Sequence, residues 1–506
     1  MRKQYWIGLF LISISASFLH AQGASRDRSV SSLGKNSREL LEESMRLEDA
    51  SWDGNAKLIR NPRPLANHST VYLVRESSWY ALALLLRDAS GDRQRAEEIL
   101  TTVLDQQYCA SAAPWYGTFR RSPEEPTPAV GSAMWESYDP NWREFIGSTF
   151  ALILIEFPDR VSPGLAQRMY AAIDRVVEGE IDQNRLVPTY SNVALMHGFL
   201  LGFAAEHNHR PDWRRRATDW SAEVYRLFRR HDAFDEYNSP TYYGVDLYAL
   251  ALWRSYGATS HMRVIGRRME TRLWREISDY YHPGLRNLCG PYDRAYGVDM
   301  ENYVSLLGVW MRSFEDAEFA PLPSISDATE HLADIYFAPN VAILSSCVPP
   351  DVMERLVHFQ GEHHLHKRVE GPRTVTAWIG NDLMYGGEET AKTRGADPSK
   401  QFVPATIHWR TPDGALGWVS AVESSALNAK ADPRGLTIST NGSVRLHIEA
   451  KEARVEQIKA AMWTLPGLSV RVATDARHFD LEPNGSGLDV IYSGVTRIRM
   501  KIRLKD

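Results

Sequence analysis

The apolar pattern of this 506-residue chain changes its period part-way along, and that change limits what the chain can fold into. From about Ser37 to Phe314 apolar residues recur three and four apart, the spacing of a helix face. Paired helices are expected over 77–87 and 93–107, 141–157 and 163–182, 192–207 and 212–231, and 243–256 and 261–280, with a last helix over 300–312. Ten or more helices in hairpin succession, with no fixed repeat of the stacked-solenoid kind, imply a ring of antiparallel pairs, an (α/α) toroid. After about Pro321 short runs with strand character take over, at 336–339, 341–344, 374–379 and 444–448. Turn signals stand at Asp413-Gly414, Asn441-Gly442 and 484–487, and the tail over 496–504 alternates strictly. These features predict a C-terminal antiparallel β-sandwich. The expected layout is a signal segment over 1–21, a toroid over 22–320 and a sandwich over 321–506, since the chain is too long for one compact core.

Arg2 and Lys3 precede an apolar run from about Tyr5 to Leu19 that ends in His20-Ala21-Gln22. This is the layout of a secretory signal peptide, with cleavage expected after Ala21, and the run is too short for a stop-transfer helix. No Cys follows it to carry a lipid, and no later run is long enough to span a bilayer, so a secreted or periplasmic product is expected. Loss of the segment leaves 56 basic against 63 acidic residues, which argues against a nucleic-acid partner. Cys109, Cys289 and Cys347 are too few and too far apart for a disulfide framework. Free thiols are expected, with a Cys109–Cys289 bridge as the alternative.

Four segments interrupt the helical pattern with polar and aromatic residues. The first, 188–198, offers Ser191 or Asn192 as a helix cap, or Asn192 as an amide for a substrate carboxylate. His197, among apolar neighbours there, reads as a core histidine. The second, 235–248, packs Glu236, Asn238, Tyr242 and Tyr243 into one helix start, where a tyrosine is suited to moving a proton. The third, 289–300, sets Asp293, Arg294 and Tyr296 in a loop, and Arg294 supplies a planar fork for a carboxylate or for Asp293. The fourth holds His363, His364 and His366. In a strand His364 and His366 share one face and His363 takes the other, so the three cannot hold one metal there. Trp115, Tyr116, Trp142 and Arg143 lie in two aromatic and basic clusters fit either to stack on sugars or to anchor the core. No cofactor is expected, and a structural divalent cation is left open.

The run Glu236-Tyr237-Asn238-Ser239-Pro240-Thr241-Tyr242 resembles the Glu-Gln-Ser-Pro-x-Tyr segment of heparinase III-like lyases, with one extra residue between Glu and Ser. The layout is similar to the wider group of polysaccharide lyases, alginate and chondroitin lyases included, that join an (α/α) toroid to an antiparallel β-sandwich. An Asn some fifty residues before the Tyr, as Asn192 is, belongs to that pattern. The chain departs from it where Val193 follows Asn192 in place of His, and where Lys367-Arg368 follow His364-Leu365-His366. The resemblance implies β-elimination on an acidic, uronate-containing polysaccharide. Asn192 and Arg294 would neutralise the carboxylate, Tyr242 would act as acid or base, and His364 or His366 (with His363 beside them) would serve as partner base. Trp115, Tyr116, Trp142, Arg143, Glu236, Asn238, Tyr243, Asp293, Tyr296 and His363 are the expected substrate contacts. The rival readings are a glycoside hydrolase using Glu236 with Asp293 or Asp299, and a non-catalytic glycan binder.

Overall fold

The computed structural model describes residues 28–62, 71–326, 329–397, 399 and 401–505, and the expected signal segment over 1–21 lies outside them. Twelve α-helices occur among the described residues: α1 (Lys35–Ser51), α2 (Val74–Arg87), α3 (Asp92–Asp105), α4 (Trp142–Glu156), α5 (Pro163–Gln183), α6 (Ser191–His207), α7 (Pro211–Phe228), α8 (Tyr242–Tyr256), α9 (Ser260–Tyr280), α10 (Leu306–Arg312), α11 (Ala338–Leu344) and α12 (Pro350–Val357). Among the described residues no helix is long and apolar enough to cross a membrane.

Two kinds of helix alternate. α2, α4, α6 and α8 are buried on nearly every side, as helices apolar all round must be. α7 instead buries one stripe, Trp213, Ala217, Ser221, Val224 and Phe228. Each inner helix pairs with the outer helix after it, α2 with α3, α4 with α5, α6 with α7 and α8 with α9. Inner helices also touch in turn, α2 to α4 to α6 to α8, and α8 reaches α11, which returns to α2 and closes the toroid. Buried indoles tie the ring polar-to-polar as well: Trp253 Nε1 donates to the Leu195 carbonyl at 2.7 Å, joining α8 to α6.

The ring-closing helix corrects the expected strands over 336–339 and 341–344. They are the end of a 3-10 segment (Leu332–Phe337) and α11, because a short run buried on all sides carries no period that separates strand from helix. The helix expected over 300–312 is shorter, since Ser305 Oγ accepts from Gly308 N at 3.0 Å and starts α10 at Leu306. The helical part therefore runs on past residue 320, the expected boundary, and the large sheet begins at His363.

β1 (Trp52–Asp53), β2 (Leu58–Arg60) and β3 (Tyr72–Leu73) form a small sheet, and β4 (Tyr281–His282) with β5 (Asn287–Leu288) a hairpin. The C-terminal sheet has twelve strands: β6 (His363–Arg368), β7 (Thr374–Ile379), β8 (Leu383–Glu389), β9 (Ala405–Arg410), β10 (Leu416–Ser424), β11 (Leu427–Asp432), β12 (Gly435–Glu449), β13 (Ile458–Lys459), β14 (Met462–Leu465), β15 (Leu468–Thr474), β16 (His478–Asn484) and β17 (Gly487–Leu504). Its order is β13-β14-β15-β17-β12-β10-β9-β8-β7-β6, with β16 on β17 and β11 joining β12 to β8. That join folds the antiparallel sheet back on itself around Trp409, Ile438, Trp463 and Tyr492. Asp413-Gly414 and 484–487 are turns as expected, whereas Asn441-Gly442 sits inside β12 at a shift of register. The alternating tail is the outer half of β17.

Val375, Ala377, Ile379 and Met384 on β7 and β8 pack with the toroid core, so this edge of the sandwich is glued to the ring. The 289–305 loop is held between the two halves: Tyr292 and Val403 exchange backbone hydrogen bonds at 2.9 Å, and Ala295 N donates to the Gln401 carbonyl at 3.0 Å. Approach is so close that a Cβ at Gly386 of β8 would overlap the Gly290 carbonyl. Asp235, ahead of α8, meets Glu370 from the sandwich, and burial together with that second carboxyl pushes it up to about 7.

Two predictions follow from this seam. Gly386→Ala should lower unfolding free energy by about 1–3 kcal/mol in denaturant titration, while Gly34→Ala, with nothing within 4 Å of its Cβ, should change little. Because the folded-state value of Asp235 lies above its ordinary one, its protonated form favours folding. Stability should therefore fall as pH rises from about 4 to about 7, and Asp235→Asn should flatten that part of the pH–stability curve.

Candidate active site

Arg294 is the centre of a polar cluster where α6 and α8 begin. Its Nη1 donates to Glu236 Oε1 at 2.6 Å and its Nη2 to Tyr242 Oη at 2.6 Å. The guanidinium carbon also lies 3.9 Å from the centre of the Tyr242 ring. Tyr242 Oη shares a hydrogen bond of 2.7 Å with Tyr296 Oη. Local sequence explains the geometry: Ser239, ahead of α8, accepts from Tyr242 N at 2.9 Å and donates to the Arg294 carbonyl at 2.5 Å, so one hydroxyl registers the helix start against the loop. Asn238, at φ 51°, donates to the Cys289 and Pro291 carbonyls at 2.7 and 2.9 Å and fixes the loop from below.

Behind Arg294, the second Glu236 oxygen accepts from Ser191 Oγ at 2.9 Å, from Asn192 N at 3.3 Å and from Asn192 Nδ2. Ser191 is thus turned to Glu236, and neither it nor Asn192 caps α6. Asn192, expected to meet a substrate carboxylate, is 1% exposed and holds Glu236 instead. Accessibility rises outward: Tyr242 is 8% exposed and Tyr296 37%. Burial drives the Tyr242 phenol well above its ordinary value, with Tyr296 adding to the rise and Arg294 opposing it. Tyr242 is therefore an O–H donor at neutral pH. Burial raises Tyr296 as well.

The other expected site residues fall elsewhere. His363, His364 and His366 do not join the cluster, because β6 is the far edge of the sheet. His363 bonds the Gly361 and Asp279 carbonyls, His364 the Ala431 carbonyl, and His366 is exposed. Tyr243 is buried, donating to Glu276, which Lys367 also meets. Arg143 is fully buried, with Glu180 at 2.7 Å and the Tyr116 and Pro114 carbonyls as its acceptors. Trp115 packs edge-on to Tyr138, and Tyr116 Oη donates to Glu178 at 3.0 Å. Trp142 lies under the Arg75 guanidinium at 5.2 Å. Asp293 accepts from Arg373 at 2.8 Å and from Arg394, stapling the loop to the sandwich. Aromatic and basic residues in a loop-rich stretch signal anchoring as readily as binding, which is why these readings did not separate in the sequence. The three cysteines are free thiols, Cys109 exposed and Cys289 buried, so no Cys109–Cys289 bridge exists.

Three residues outside the expected set join the cluster's surroundings. Tyr190, just before α6, accepts from Asn141 Nδ2 at 2.8 Å. Gln401 from the sandwich faces Arg294 at 3.5 Å. His331, at φ 54°, stacks on Tyr296 with ring centres 4.5 Å apart, and its Nδ1 is 3.8 Å from Asp334. Only the left-handed backbone at a non-glycine residue marks His331 as unusual, and no periodicity in the sequence reports it. Among the described residues no group of three or more His, Cys, Asp or Glu side chains is set to hold a metal ion.

Glu236 is the anion on which both Arg294 and Asn192 depend. Glu236→Ala should cost roughly 3–5 kcal/mol of stability by leaving a part-buried guanidinium without its carboxylate. Glu236→Gln, which still accepts, should cost less. Denaturant titration of both variants checks the order, and equal losses would contradict it.

No curated protein matches the chain. Among solved structures, a crystal structure of heparinase III is similar at TM-score 0.44 and 9% identity, covering 95% of this chain and 87% of that one. A chondroitin AC lyase of Streptomyces coelicolor A3, in complex with chondroitin sulphate, is similar at TM-score 0.43 and 11% identity over 92% and 79%. A heparan sulfate lyase mutant from Pedobacter heparinus is similar at TM-score 0.34 and 11% identity over 94% and 84%. Residues 358–487 match a second domain of unknown function, DUF8770. Residues 38–346, more than half of the chain, match a model described as a domain of unknown function, DUF8769, and the chain belongs to that family.

Proposed function

We propose that this chain is a polysaccharide lyase that cleaves a uronate-containing glycan by β-elimination, exported as a secreted or periplasmic enzyme. One observation carries the reading: a neutral, buried phenol (Tyr242) held at 2.6 Å by a guanidinium that keeps part of its surface exposed. Elimination removes the proton on C5, breaks the C4–O4 bond and returns a proton to O4. Tyr242 supplies the last proton. The tyrosinate left behind is met by Arg294 and reprotonated through Tyr296, whose Oη is 2.7 Å away on the exposed side and takes a replacement proton from solvent.

Arg294 also neutralises the substrate carboxylate, so that charge moving from C5 into the carboxylate during proton loss is stabilised. Glu236 and Asn192 stand behind it as positioning residues. His331 takes the C5 proton: it lies on the same rim, stacked on Tyr296, with Asp334 on its Nδ1 side. The sandwich histidines, expected for this task, lie on β6 away from the cluster. A hydrolase reading needs a free carboxyl pair, and it loses ground because Glu236 is engaged by Arg294 and Asn192, Asp293 by Arg373 and Arg394, and Asp299 by Glu301 N and Asn302 Nδ2 in its own turn.

Incubation with glucuronan, alginate, chondroitin and heparan, followed by ultraviolet absorbance, tests the reading. Alkene absorbance is expected on at least one polymer, and reducing ends without absorbance would overturn it. Tyr242→Phe should lower kcat by about 10²–10⁴-fold with the fold intact. His331→Ala should also lower kcat, and an unchanged rate there would remove His331 from the mechanism.

A further inference from the structure

β17 carries a feature that the proposed reaction does not use. Along its outer half Ile498, Met500 and Ile502 enter the sandwich core, and Arg497, Arg499, Lys501 and Arg503 alternate with them on the exposed face. Their cross-strand neighbours are Ser439 and Thr437 on β12, and Ala473, Arg471 and Ser469 on β15. None of these is acidic; Asp475, one step beyond the β15 ladder, accepts from Arg497 N at 2.9 Å and from Thr496, and among the described residues it forms no ion pair with the stripe's side chains. Arg471 stands directly opposite Lys501, and the row continues through Met462 to Lys459. Like charges directly opposite one another destabilise a sheet, so this pairing works against folding unless an anion lies over it. Among the described residues Arg471, Arg497, Arg499, Lys501 and Arg503 form no ion pair.

A shallow groove of about 430 Å³ runs along this face beside the β11–β12 turn. Its one acidic lining residue, Asp432, is engaged by Arg434 at 3.6 Å. The whole chain is net −5, so gathering unpaired cations on one face runs against its overall charge.

We propose that this face is a second binding surface, a platform for an extended acidic polysaccharide, separate from the Tyr242 cluster. From Arg497 to Arg503 the stripe is roughly 20 Å long at strand rise, which suits a chain and not a single ion. Sulfate or carboxylate groups take charge-assisted bonds from the cations, and Thr437, Ser439 and Ser469 offer hydroxyls to the sugar between them. Nucleic acid is the poorer fit, because these strand positions present no aromatic ring on which a base could stack. The choice of a glycan also agrees with the lyase reading, but binding here needs no cleavage.

The test is calorimetric binding of heparan sulfate and alginate oligosaccharides to the full chain in a Tyr242→Phe background, where uncut glycan persists. Adding Arg497→Ser, Arg499→Ser and Lys501→Ser together should weaken binding by about tenfold or more and reduce its salt dependence. The same variant should melt at or above the parent temperature. Arg471→Ser should raise the melting temperature without glycan and shrink the rise that glycan gives. Unchanged affinity in the triple variant, tighter binding of a DNA duplex than of either glycan, or no glycan binding by the parent would each overturn the proposal. A chain that binds glycan through this face yet eliminates none would retain the platform and lose the lyase reading.

Discussion

One guanidinium organises the polar cluster where α6 and α8 begin. Arg294 reaches Glu236 through one nitrogen and Tyr242 through another, and its own carbonyl accepts from Ser239 at the start of α8. A cation in this position is costly to desolvate, and the cost is offset only because Glu236 is itself bonded by Ser191 and Asn192. The α6 start, the α8 start and the 289–305 loop therefore form one polar unit. Loss of any member would leave a buried group unpartnered, which constrains all three segments together.

Around that unit the scaffold does two jobs. Inner helices buried on nearly every side close through α11 into a ring, and the sandwich presses on its edge through β7 and β8. The loop that bears Arg294 is caught in the seam, bonded to Val403 and Gln401 and stapled at Asp293 by Arg373 and Arg394. Site geometry thus depends on both halves of the chain, although every acidic or phenolic group close to Arg294 comes from the helical half.

The helix pairs and the alternating C-terminal strands were legible because each presents a long periodic face to one core. α11 was not, since seven residues buried all round leave no polar side to set a period. Within the site, the resemblance of 236–242 and the Asn192 spacing pointed to residues that the fold does bring together with Arg294 and Tyr296. What the sequence did not reveal was direction. Asn192 faces Glu236 and not the opening, Tyr243 turns one helical step away to Glu276, and the histidines of β6 belong to a sheet edge. His331 was missed because its place beside Tyr296 comes from tertiary packing and a left-handed backbone, neither of which leaves a mark in composition.

In the proposed elimination the buried phenol and its guanidinium break a glycosidic linkage without water. Cleavage of a uronate polysaccharide in heavy-oxygen water, read by mass spectrometry, tests this most directly. Elimination gives an unsaturated new end one water lighter than hydrolysis would give, with no heavy oxygen taken up in the cleavage. One heavy oxygen taken up per cleavage at the new reducing end, with no unsaturated product, would contradict it.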